Sequence, residues 1–453
     1  MGKRIVDEPG GPSREGHDRH HLIHAWRGRR EAAAPDPKMA RLLLLRGQGF
    51  ARRRPLHRRL AMTRPRYGPI ARSVEHVFIR APASRPEETT MSEYEALAKN
   101  VIRRTLHIQP KENVIVECWN HGLPIATEVV YQARAAGARP MLLFEDEDTY
   151  WRSVKTLPES KLGQVGSHEW KAIGEADGYV FIPGPADITK IREAGKKYSA
   201  ATAYNDEWYR RAKRNRLRGA RLGLGYVTEA RARSYGFDLP AWREMVLAAS
   251  SVDGQQIVRT GRKVTKALAK KGRIEISHSN GTQFSCDLVG NPAGIEDGII
   301  TKEDLDQGEN MANLPAGEAF VVPDVKSGDG TIVFDRPIAW LGRWIRGVRV
   351  AFDGGRMTKF SASENEDLIR SEWAEATGPK DLLGYLDIGL NPNARSGFLQ
   401  DAIVAGNVYV AVGANDEVPG GKNKTDFYLG GSLTGANVTI DGRPVIQHGN
   451  LAT

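Results

Sequence analysis

The chain has 453 residues and a mass of 49.9 kDa, with 40% hydrophobic and 26% charged side chains. This excludes collagen-like, disulfide-scaffold and wholly disordered classes, and the length allows two or three domains. No apolar run nears the roughly 18 residues that a membrane-spanning helix needs, the Leu run at residues 42–45 being far too short; no membrane partner is expected.

The net charge of +10 suggests a nucleic-acid binder, but its distribution argues otherwise. Residues 1–90 carry 20 Lys/Arg against 9 Asp/Glu, whereas residues 91–453 come to a net of −1. The basic excess therefore belongs to one Arg- and Pro-rich stretch without helical or strand periodicity. Met91 opens the segment MSEYEALAKNVI, which reads as an ordinary start of a folded protein. Residues 1–90 are expected to be a basic disordered tail or a mis-assigned upstream region, and no nucleic-acid partner is expected. Two cysteines, Cys118 and Cys286, make no disulfide framework. With no secretory signal visible, a reduced cytoplasmic setting is the expectation.

Residues 91–255 alternate strand and helix patterns. Residues 113–118 (NVIVEC) read as a strand and 123–136 as a helix. Residues 141–144 follow as a strand, with Gly137 at the turn before it. Residues 176–182 form a third strand ended by Pro183-Gly184, and 188–194 a helix capped by Asp187. Alternation of this kind predicts an α/β domain with a mostly parallel sheet. No GxGxxG or GxxxxGK[ST] motif accompanies it, so no nucleotide loop is indicated. His121, at the first strand-to-helix junction, is either a ligand-loop residue or a turn residue.

A helix over 240–250 leads into residues 256–453, richer in Gly, Val and Asn. Asn280-Gly281 between two alternating runs, 273–277 and 282–288, predicts a hairpin. Further strands are expected at 330–334, 347–352 and 407–412, with a helix at 364–376, giving an α+β domain. Trp340 and Trp344 read as core or interface residues rather than a substrate cage. Lys422 and Lys424 lie either beside an anionic substrate or on a solvated turn.

Four segments of this half stand out: Asn313-Leu314-Pro315-Ala316-Gly317-Glu318; Leu383-Gly384-Tyr385, running on to Gly389-Leu390-Asn391-Pro392; Tyr409-Val410-Ala411-Val412-Gly413; and Gly420-Gly421-Lys422-Asn423-Lys424-Thr425-Asp426-Phe427-Tyr428. Their order and spacing resemble the thermophilic metalloaminopeptidase family, of the aminopeptidase T and S type. The resemblance covers roughly residues 95–453 and implies a metallopeptidase-like C-terminal domain and a homodimer paired through C-terminal domains. It also implies two divalent metals held by a Glu in N-x-P-x-x-E, a second Glu after Gly, a His in H-x-A-x-G and an H-x-D pair. Carried over, only the first is retained, as Glu318. The Gly-Glu position becomes Tyr385, the H-x-A-x-G histidine becomes Tyr409, and H-x-D becomes Asp426-Phe427-Tyr428. The five histidines beyond residue 91 (His107, His121, His168, His278 and His448) lie outside these motifs.

The replacements share a chemistry, because phenolate oxygen is a hard anionic donor. With an ordinary pKa near 10, tyrosine needs a strongly acidic metal ion to ionise at neutral pH. A mononuclear Fe(III) site is therefore expected, using Glu318 with Tyr385, Tyr409 and Tyr428, with Asp426 as base or further ligand; another divalent metal is the alternative. Tyrosines on strands also serve simply as packing residues. The expected activity is hydrolysis of an amide or related C–N bond in a small-molecule substrate. The alternatives are a non-haem iron ring-cleaving dioxygenase, related to the dihydroxypyridine dioxygenases, and a catalytically inactive binding protein on the same fold.

Overall fold

A computed structural model describes residues 92–452; the expectations for residues 1–90 lie outside the described residues. The strands are β1 (Asn113–Trp119), β2 (Arg139–Glu145), β3 (Gly178–Ile182), β4 (Arg218–Leu222), β5 (Lys271–His278), β6 (Thr282–Val289), β7 (Ala293–Glu296), β8 (Met311–Leu314), β9 (Glu318–Val321), β10 (Asp329–Val333), β11 (Ile338–Trp340), β12 (Arg343–Ile345), β13 (Arg349–Asp353), β14 (Arg356–Ser361), β15 (Leu383–Gly389), β16 (Val408–Gly413), β17 (Tyr428–Leu433), β18 (Asn437–Ile440), β19 (Arg443–Gln447) and β20 (Asn450–Leu451).

The first sheet is parallel, in the order β2-β1-β3-β4-β8. β1 and β3 are almost continuous apolar runs, as strands covered on both faces must be. The helix Leu123–Ala135 returns the chain from β1 to β2, burying Ile125, Ala126 and Val129. The fifth strand, β8, runs into the Asn313–Glu318 motif, so this sheet draws on chain from both sides of position 255. On one of its faces Glu117 accepts a hydrogen bond from Tyr179. Burial pushes the Glu117 carboxyl up to about 7, outweighing that bond, with Glu169 and Glu145 adding to the rise.

Asp238 and Asp253 cap the helices Leu239–Ser250 and Gly254–Leu268 by accepting main-chain N–H bonds. The β5–β6 hairpin turns at Asn280-Gly281, where Gly281 takes φ +96° and the Asn280 side chain receives the N–H of Thr282 at 3.0 Å. This hairpin sits inside an eight-stranded sheet, β14-β13-β10-β6-β5-β18-β19-β20, whose pairings are antiparallel. A third sheet, β17-β16-β15-β9-β7, is also antiparallel and carries the motif residues. Its backing face packs Ala319, Val321, Leu386, Ile388, Val408 and Val410 into the main core. Among the described residues no helix is long and apolar enough to cross a membrane.

Candidate metal and substrate site

Alternation along four neighbouring strands puts the motif side chains on one face. Glu318 and Phe320 lie on β9, Tyr385 and Asp387 on β15, Tyr409 and Ala411 on β16, and Tyr428, Gly430 and Ser432 on β17. Asp387 is the Cα partner of both Phe320 and Tyr409 across the strands. Phe320, Val322, Tyr385, Ala402, Tyr409, Ala411 and Val418 pack together there as a separate apolar cluster, with Tyr428 against it.

The three tyrosines predicted from sequence come together. The Tyr428 hydroxyl lies 2.6 Å from that of Tyr385 and 2.8 Å from that of Tyr409. The Tyr385 ring stacks at 6.3 Å from Tyr409 and 6.2 Å from Tyr428. Tyr385 and Tyr409 are buried, while Tyr428 keeps some surface toward a cavity. Burial raises the Tyr409 hydroxyl far above its ordinary pKa, and the negative charges of Asp387 and Glu318 add to this against the opposing bond from Tyr428. Tyr428 is raised by burial first and by its two tyrosine neighbours next. Tyr409 and Tyr428 therefore stand as neutral phenols, with the Tyr428 hydroxyl bonded to those of Tyr385 and Tyr409. Glu318 is buried and reaches Tyr409 electrostatically.

Asp426 accepts a hydrogen bond from the Thr377 hydroxyl on the connection before β15. The carboxylates acting on Tyr409 are Glu318 and Asp387, and Asp387 was missed in the sequence. Its signal was its position two residues after Tyr385, which on a strand means the same face. His121 serves the fold, its Nε2 lying 2.8 Å from the Gly225 carbonyl and 3.2 Å from that of Pro183. Lys422 and Lys424 are exposed on a loop whose main chain is tied to the Asn415 side chain through Lys422 and Asn423. Trp340 and Trp344 pack against the buried clusters, as expected of core residues, and also help to wall the cavity.

That cavity, of about 110 Å³, wraps the edge strand β17 and touches Tyr409, Tyr428, Gly430 and Ser432. Its other walls are mainly apolar, with Leu368, Ile369, Phe398 and the two tryptophans, and it also meets the Arg336–Asp401 ion pair (3.3 Å). An apolar cavity of about 150 Å³ holds benzene, so this one suits a branched aliphatic group or a compact ring.

Among the described residues no group of three or more His, Cys, Asp and Glu is placed to hold a metal ion. The His/carboxylate set implied for two divalent metals is thus not what these residues offer. What the strands bring together instead is the three phenol oxygens. Six-coordinate hard cations with metal–oxygen bonds of about 2.0–2.1 Å have octahedral edges of about 2.9 Å, close to the 2.6 and 2.8 Å phenol separations. The Tyr428 hydroxyl thus bridges the other two at separations that match hydrogen bonds as well as octahedral edges.

The thermophilic metalloprotease (M29) family profile matches residues 90–382. Aminopeptidase AmpS of Bacillus subtilis (strain 168) is 31% identical over 62 residues, 14% of this chain and only 15% of that protein. The fold is similar to wild-type AmpT from Thermus thermophilus, with a TM-score of 0.63 and 18% identity over 80% of this chain and 99% of that one. It is also similar to a 2,5-dihydroxypyridine dioxygenase from Pseudomonas putida KT2440, with a TM-score of 0.51 and 16% identity over 80% and 98% of the two chains. Likeness at such identities speaks for the fold alone. The profile match spans more than half of the chain and ends just short of β15, taking in the Asn313–Glu318 motif; by it the chain belongs to the thermophilic metalloprotease (M29) family, a family of metal-dependent hydrolases.

Proposed function

We propose that the tyrosine face of the third sheet is the reaction centre of a hydrolase acting on an amide-type C–N bond, with a hard cation, ferric iron first, held by Tyr385, Tyr409, Tyr428 and Glu318. The observation that carries the reading is the convergence of the Tyr385, Tyr409 and Tyr428 hydroxyls, which come from three strands. Family membership favours a peptide amino terminus as substrate over the small non-peptide amide suggested by sequence alone.

Bound there, the ion would supply Lewis-acid polarisation of the scissile carbonyl. The protein's own residues do the rest. Asp387, fully buried and opposite Tyr409, takes the proton-accepting role first given to Asp426. The apolar cavity beside Tyr428 seats the side group next to the reacting bond and keeps water from it.

Hydrolysis of leucine p-nitroanilide by the full-length chain, with and without ferric iron, tests the reading. Iron-dependent turnover that falls about 100-fold or more in Tyr428→Phe supports it, that being the scale for loss of a group aimed at the reacting atoms. Turnover unaffected by Tyr428→Phe contradicts it.

A further inference from the structure

Most large apolar side chains are covered, but one edge of the parallel sheet is not. On β2 the side chains of Met141, Leu142 and Phe144 are 41%, 39% and 50% exposed, and Tyr131 and Leu123 on the neighbouring helix are 63% and 38% exposed. Among the described residues β2 is an edge strand, paired only with β1. Open apolar edges are templates for another strand and are normally blunted by charge, bulges or covering elements. Here Pro140 and the terminal charges of Arg139 and Glu145 are the only such devices within the strand.

We propose that this edge is an interface with a second copy of the chain, formed by antiparallel pairing of β2 with itself. The main-chain directions allow it. The Arg139 N–H bonds the Glu112 carbonyl at 2.8 Å, so odd positions of β2 turn their main-chain groups toward β1. Pro140, Leu142 and Phe144 therefore turn theirs to the open side. A two-fold axis through Leu142 lets the two Leu142 residues exchange both main-chain bonds, and Phe144 of each copy donates to the Pro140 carbonyl of the other. The missing N–H of Pro140 then removes only the reciprocal bonds.

The charges select this register. The strand reads Arg139-Pro140-Met141-Leu142-Leu143-Phe144-Glu145. With Leu142 on the axis, Arg139 of each copy stands opposite Glu145 of the other, at both ends of the ladder. In a parallel in-register pairing, like charges would face each other. Met141 would lie against the other copy's Leu143 on one face, and Phe144 against its Pro140 on the other, covering the exposed patch. Two-fold contacts of this kind are self-complementary and closed. The surface is distinct from the C-terminal pairing that the family resemblance implies, and it does not depend on the hydrolase reading.

The test uses the full-length chain. Light scattering coupled to gel filtration reads the assembly mass for the parent, Arg139→Glu, Glu145→Arg and the double exchange. The expected result is a mass halved by each single change and restored by the double one. Independently, Leu142→Cys should oxidise to a disulfide-linked dimer, because residues exchanging both bonds have Cα atoms about 5.5 Å apart, within disulfide reach. The two native cysteines are buried and give little background. An assembly mass unmoved by both single changes, or no cross-link in a folded Leu142→Cys protein, overturns the proposal. This includes the case in which some other part of the chain covers the strand.

Discussion

The Tyr409 hydroxyl lies over the main chain of Gly430, where a Cβ would come within 2.0 Å of it. Gly430 is the Cα partner of Ala411, on the same strand as Tyr409, so the ring leans across from β16 onto β17 through the space a side chain would fill. This glycine is required by the site rather than by a turn. Gly430→Ala should push Tyr409 away from Tyr428 and cost about 1–3 kcal/mol, the usual price of overpacking. Thermal denaturation should show a lower Tm, and metal retention should fall with it.

Tyr428→Phe removes the hydroxyl that joins the other two. Each bond contributes about 0.5–1.5 kcal/mol net, so losing both should destabilise the chain by about 1–3 kcal/mol in urea titration. Tyr385→Phe removes one bond and should cost about half as much.

The raised phenols give an alkaline signature. A group whose folded pKa exceeds its unfolded value binds its proton more tightly in the folded state. Its stabilisation is complete below the unfolded value, near pH 10 for tyrosine, and is lost as pH rises toward the folded value. Stability should therefore be insensitive to Tyr409 and Tyr428 below about pH 10 and fall above it. Spectrophotometric titration of the metal-free protein should show these phenolates appearing only with unfolding.

Glu117 gives the same sign in a lower window. Burial raises its carboxyl from 4.5 to about 7, so its contribution is complete below about pH 4.5 and is lost between there and about pH 7. At pH 8 the ionised group costs on the order of 2 kcal/mol, taking 1.36 kcal/mol per unit and discounting for the surface it retains. Glu117→Gln keeps an acceptor for Tyr179 and should be more stable than the parent at pH 8. The gap should close at pH 5 in denaturant titrations.

Much of this architecture was legible in the sequence where periodicity was strong. The first three parallel strands, the Asn280-Gly281 hairpin and the helix Glu366–Glu375 fall where the pattern put them, within about two residues at most ends. β4 was missed, since Arg218-Gly219-Ala220-Arg221-Leu222 has neither an apolar run nor clear alternation. β8 runs into a motif read for chemistry, and its long-range pairing with β4 leaves no local trace. Within the site, the tyrosines were found because a resemblance aligned them with ligand positions. Asp387 carried no motif, and only the strand geometry sets it opposite Tyr409. Asp426 came from the segment that stands where the resemblance places H-x-D, and the strand geometry shows it accepting a hydrogen bond from Thr377.

The central claim is that the phenols of Tyr385, Tyr409 and Tyr428 hold a hard cation. Metal analysis with a visible absorption spectrum of the full-length protein, before and after ferric reconstitution, tests it most directly. The account predicts near-stoichiometric iron with a phenolate-to-iron charge-transfer band that weakens or shifts in Tyr385→Phe and Tyr409→Phe. A folded protein that takes up no iron and stays colourless after reconstitution would contradict it and leave a binding protein on a peptidase fold. Iron bound without that band would also contradict it, pointing to carboxylate ligation and returning the oxygenase reading.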